Sequence, residues 1–210
     1  MAISDILDKV KKEWEVLKGE EAKDKLFVNE NTFPDEATAR REFERSKQKL
    51  FNVNDWSKLE GMNSTFQLYT PQGQKSSATK PSEGDYMLII LPGTTFENWV
   101  LISKVTEEED VAEFVVHPSQ KPQPEPGEEG VIKHFFVKEA SSTFRVYRDG
   151  TKIMGFEIGR HEAINNHGDE AGDRALLNTF ISEGGWAGFQ DYQWDRITKY
   201  YVHLEELPGK

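Results

Sequence analysis

"STFRVYRDGTKIMGFEI", residues 142–158, decides the fold class. Two runs rich in β-branched and aromatic residues flank Asp149-Gly150. That pair favours a two-residue type I′ turn and so a β-hairpin. A turn centred on Asp149-Gly150 sets Arg148 opposite Thr151, Tyr147 opposite Lys152, Val146 opposite Ile153 and Phe144 opposite Gly155. One face then gathers Phe144, Val146 and Ile153, and the other Tyr147, Met154 and Phe156. Neither face is polar, so both are expected to be covered at least in part. Gly155 has no side chain and leaves room for an aromatic ring, such as that of Phe144, to lie across it.

The two-residue period continues upstream. "STFQLYT" (64–70) alternates apolar and polar residues, and "YMLIIL" (86–91) is apolar on both faces, the pattern of a strand inside a sheet. "NWVLISKV" (98–105), "VAEFVVH" (111–117) and "VIKHFFV" (131–137) complete a set of seven strands with the hairpin. "PSQKPQPEPGEEG" (118–130) carries four prolines and two glycines, and reads as a long exposed loop. No helix separates the strands, so they pair antiparallel.

Helical periods lie at both ends. Residues 4–18 place Ile6, Leu7, Val10, Trp14 and Leu17 on one face, with Ile3 just ahead of them. Residues 35–50 form a second helix after Pro34, with only Ala39, Phe43 and Leu50 on its apolar side. A helix this polar is solvated or lies across something else. "DRALLNTFISE" (173–183) and "WAGFQDYQWDRITKYYVHLEEL" (186–207) are the C-terminal pair, the latter with Trp186, Phe189, Ile197, Tyr201 and Leu204 as its buried stripe. The expected fold is α+β: a mainly antiparallel, curved sheet of about seven strands packed against two C-terminal helices, with an N-terminal helical pair. Residues 1–50 are read as an arm and 51–210 as the sheet-plus-helix domain, which could also form one continuous domain with it.

Composition narrows the function classes. The formal net charge is −11 and no Lys/Arg stripe interleaves with aromatic residues, which disfavours nucleic acid and anionic membranes as partners. No cysteine is present, so thiolate nucleophiles, disulfides and zinc–thiolate sites are excluded together. The charged start and the lack of a long apolar run fit a cytoplasmic protein. There is no G-x-S-x-G elbow and no glycine-rich phosphate loop.

Two constellations could carry chemistry. "GRHEAINNHGDEAGD" (159–173) is the densest polar cluster, and follows the hairpin's second strand. Arg160, His161 and Glu162 are candidate catalytic groups, since histidine exchanges protons near neutral pH. His161, His167 and Asp169 are candidate ligands for a divalent metal, but the two histidines fit neither a helical nor a strand repeat. Turn and helix-cap roles account for the same residues. The second constellation is aromatic. Trp99, His134, Tyr147, Trp186 and Trp194 could line an apolar cavity between the sheet and its helices, or they could fill an ordinary core. The preferred expectation is a binding module without a cofactor, for a small apolar ligand or a protein partner, with the N-terminal helices available for homo-oligomer contacts. The alternative is a hydrolase- or lyase-type enzyme built on residues 160–169, with or without a divalent metal.

Overall fold

A computed structural model describes residues 25–62, 64–92, 97–124, 126–127, 138–161 and 185–209. The chain forms a seven-stranded antiparallel sheet: β1 (Lys25–Thr32), β2 (Thr65–Tyr69), β3 (Tyr86–Ile90), β4 (Glu97–Glu107), β5 (Val111–Pro118), β6 (Ser141–Asp149) and β7 (Lys152–Arg160). The spatial order is β1-β7-β6-β5-β4-β3-β2, so β2 to β7 form a meander and β1 closes onto its last strand. The α+β class and the antiparallel curved sheet expected from the sequence are present. The strand expected at 131–137 and the helices expected at 4–18 and 173–183 lie outside the described residues, as do Glu162, His167, Asp169 and His134 and the side chain of Trp186.

The hairpin forms, but its turn sits one residue further on. Asp149 pairs with Lys152, Arg148 with Ile153, Val146 with Gly155 and Phe144 with Glu157, which corrects the register expected from the sequence. The turn pair is Gly150-Thr151; Gly150 takes φ 58° and Thr151 stays outside the left-handed region. A positive φ at the first turn position alone belongs to a II′-like turn, not to I′. Arg148 holds this geometry: its guanidinium donates to the Gly150 carbonyl at 2.9 Å and pairs with Asp110. The shift moves each cross-strand partner by two positions, so it preserves which side chains share a face. Phe144, Val146 and Ile153 face inward, and Tyr147, Met154 and Phe156 face outward.

β1, which the sequence did not reveal, pairs along its whole length with β7. Its inward positions include Asn29 and Asn31, polar residues that hide the alternation. They are polar because they hold a helix. Asn29 Nδ2 donates to Asp195 Oδ1 at 3.0 Å and to Thr198 Oγ1 at 2.9 Å, and Asn31 Nδ2 donates to the Val202 carbonyl at 2.9 Å. The acceptors belong to or follow α3 (Gly185–Tyr201), the C-terminal helix, whose last carbonyls have no partner within the helix.

α1 (Glu36–Phe51) starts at Asp35, which accepts from the Thr38 amide at 2.7 Å. It lies across the sheet, burying Ala39, Phe43, Leu50 and Phe51. Lys47 and Lys49 keep their stems buried and their ammonium groups paired, Lys47 with Glu44 at 2.8 Å and Lys49 with Glu206 at 2.8 Å. Residues 25–32 are a strand of the sheet, and α1 packs on its inner face. α2 (Val53–Trp56) delivers Trp56, fully buried, into the centre of that core. The last helix ends at Tyr201 and not at 207, and Leu204, expected in its buried stripe, is half exposed.

Candidate ligand-binding interior

The inner face of the sheet is a row of alternate residues: Phe66 and Leu68 on β2, Met87 and Ile89 on β3, Val100 and Ile102 on β4, Ala112, Phe114 and Val116 on β5, Phe144 and Val146 on β6, and Ile153 on β7. α3 lies over β7 and β1 on this side. Gly155 makes that approach close: a Cβ there would stand 3.0 Å from the Thr198 carbonyl oxygen and 3.1 Å from Tyr201 Cβ. The space over Gly155 is thus filled by α3, not by the ring of Phe144 as expected from the sequence.

Aromatic rings organise the interior around Trp56. Its ring centroid lies 5.1 Å from Phe144, 5.4 Å from Phe66, 5.9 Å from Phe114 and 5.7 Å from Tyr201. Its indole N–H donates to the Lys49 carbonyl at 3.0 Å, so this ring is satisfied and fixed. Trp194 continues the cluster from α3, 5.4 Å from Phe144 and 6.2 Å from Phe66.

Trp194, Ile197 and Tyr201 stand three and seven residues apart, one stripe of the helix facing the sheet. Trp194 is 7% exposed and Tyr201 fully buried. The Trp194 indole nitrogen and the Tyr201 hydroxyl have no hydrogen-bond partner among the described residues, and neither do Ser64 Oγ and Gln193 Oε1. Beneath the stripe lies Glu157, a fully buried carboxyl on the inner face of β7. Burial raises the pKa of Tyr201 well above the ordinary phenol value, and the charge of Glu157 adds to the effect. Tyr201 therefore keeps its proton, and its hydroxyl stays a donor.

The other residues singled out in the sequence lie elsewhere. Trp99 projects from the opposite face of the sheet, edge-on to Tyr69 at 4.8 Å, with its N–H bonded to Glu97 at 2.9 Å. Tyr147 is also on that outer face, among Val111, Phe156 and Ile158. Of the five aromatic candidates, only Trp194 is seen in the sheet–helix interior among the described residues. Arg160 ends β7 exposed to solvent; His161, also exposed, takes φ 54°, where the strand stops. The strand does not carry on through His161, so strand alternation does not decide how it is placed relative to Glu162. Among the described residues no group of three His, Asp or Glu is placed to hold a metal ion, and no helix is long and apolar enough to cross a membrane. Sequence reasoning placed Tyr201 in the buried stripe of the last helix but missed Glu157 as a polar point of the interior. Glu157 sits at an inward position of the hairpin, opposite Phe144, on the face that it already shared with Ile153 in the expected register.

No family model matches the chain, and no curated protein matches it. Solved structures similar in architecture include a hypothetical protein from Helicobacter pylori, 12% identical, with 85% of this chain and 86% of that one covered and a TM-score of 0.47. A protein from Mycobacterium smegmatis is 9% identical, with 87% and 90% covered and a TM-score of 0.42. Major latex-like protein 151 from Panax ginseng is 11% identical, with 82% and 97% covered and a TM-score of 0.39.

Proposed function

We propose that this protein is a binding module that takes a small, largely apolar ligand between the inner face of the sheet and α3. One observation carries the reading. Two buried donors on one helical stripe, the Trp194 indole N–H and the Tyr201 hydroxyl, lack an acceptor among the described residues. Leaving a buried donor unsatisfied costs about 1–3 kcal/mol. A pair of such donors on one stripe, set among Phe66, Phe144 and Ile197, is what an apolar ligand with carbonyl, ether or hydroxyl oxygens requires. The ligand's hydrocarbon would lie against the rings and its oxygens would accept from α3.

The test uses the full chain and a fluorescent apolar probe, N-phenyl-1-naphthylamine, with 2-undecanone as the competing acceptor-bearing compound. Saturable one-to-one probe binding is expected, reversed by the ketone. Tyr201→Phe should weaken the ketone by up to about tenfold, since one hydrogen bond contributes about 0.5–1.5 kcal/mol. Without ligand the same variant should be no less stable than the parent in urea, because the hydroxyl it removes has no partner to lose. A folded chain that shows no saturable probe binding refutes the proposal.

A further inference from the structure

The outer face of the sheet carries an apolar patch that none of the described helices accounts for. Tyr147 is 1% exposed, Phe156 2%, Ile158 4% and Val111 8%, with Leu26 and Met154 packed against them. All six come from strands β1, β5, β6 and β7. The Tyr147 hydroxyl, on the same face, has no partner among the described residues.

We propose that residues 4–18 of the same chain dock on this patch as an amphipathic helix, through Ile6, Leu7, Val10, Trp14 and Leu17. The tether argues for it. β1 begins at Lys25, paired with Gly159 at one end of the edge strand, and Leu26 is itself part of the patch. A helix ending near residue 18 needs only a short link to reach the sheet there. Its length also fits. Fifteen helical residues span about 22 Å, and four neighbouring strands are spread over about 14 Å between their axes. The stretch 162–184 leaves β7 at this same end but runs on to α3 on the inner face, and 128–137 lies between β5 and β6. Burial of the patch within a single chain favours a segment of this chain over a second copy. The apolar side of residues 4–18 presents side chains of the right class for such a surface, and Trp14 has an N–H that could meet a hydroxyl like that of Tyr147.

The chain has no cysteine, so one introduced thiol reports on one place. In full-length Met154→Cys, maleimide labelling should be slow at all protein concentrations. Adding Val10→Asp and Trp14→Asp should speed labelling at least tenfold, with the far-ultraviolet spectrum keeping its sheet signal. A second reporter keeps the proposal open to refutation if that variant unfolds: in the otherwise unaltered chain, a spin label on Cys introduced at Asp8 should broaden the NMR signals of Ile158 and Met154 and spare those of Leu68. Labelling of Met154→Cys that is unchanged by Val10→Asp and Trp14→Asp overturns the proposal. So does protection that appears only as the protein concentration rises, which would mark a second copy as the cover.

Discussion

Single residues fix where the layers meet. Gly155 lets α3 approach closely, since a methyl group there would stand 3.0 Å from the Thr198 carbonyl oxygen and 3.1 Å from Tyr201 Cβ. Gly155→Ala should cost about 1–3 kcal/mol by overpacking, read as a lower urea midpoint with unchanged slope. His203 fixes the far end of the helix, where the chain turns with φ 63°. Its Nε2 lies 2.9 Å from the Glu42 carbonyl and 3.0 Å from Ser46 Oγ, which ties the C-terminal segment to α1. Burial, helped by the charge of Lys49, lowers the His203 pKa below its ordinary 6.5, outweighing the Glu42 contact and the charge of Glu206, which raise it. The neutral form is the one the fold accepts, and its Nε2–H donates to Glu42. As pH falls below 6.5 the unfolded chain binds a proton that the folded chain refuses, so stability drops until the folded pKa is reached. Urea titrations between pH 7.5 and 5 should show this decline, and His203→Gln should flatten it.

Elements were legible in the sequence where their chemistry was unmixed. Strands at 65–69, 86–90, 97–107 and 111–118 and the hairpin at 141–160 were all marked by β-rich runs and their turns. β1 was not, because its inward positions Asn29 and Asn31 serve hydrogen bonds to α3 instead of apolar burial. α1 looked too polar for the core because Lys47 and Lys49 are buried by their stems, which a residue-type pattern counts as surface. The hairpin was legible as an element but not in register, since the choice between Asp149-Gly150 and Gly150-Thr151 as turn pair rests on the contacts of Arg148 with Asp110 and Gly150. The candidate interior was legible in part. Trp194 was expected there, but Tyr147 and Trp99 turn to the other face, and Glu157, inward in either register, is a charged residue that a pattern of apolar positions passes over. The strand-to-helix tie yields its own prediction. Asn31→Ala removes the donor to the Val202 carbonyl and should cost about 1 kcal/mol or somewhat more, with amide exchange rising first in residues 198–204.

At the scale of the molecule, one sheet presents two differently covered faces. The inner face is closed by α1, α2 and α3 over an aromatic core, and the outer face carries a second apolar cluster with its own cover proposed above. In the interior an apolar layer and two unmatched donors coincide. The most direct measurement is the indole region of a nitrogen–proton NMR spectrum during titration with 2-undecanone, with Trp194→Phe identifying the Trp194 signal. Trp56 and Trp99 serve as internal references, because their N–H groups already donate to Lys49 and Glu97. Ligand binding at α3 predicts that the Trp194 proton shifts downfield and exchanges more slowly with solvent as the ketone saturates, while the signals of Trp56 and Trp99 stay in place. A folded chain whose Trp194 signal remains unmoved at high ketone concentration would contradict it.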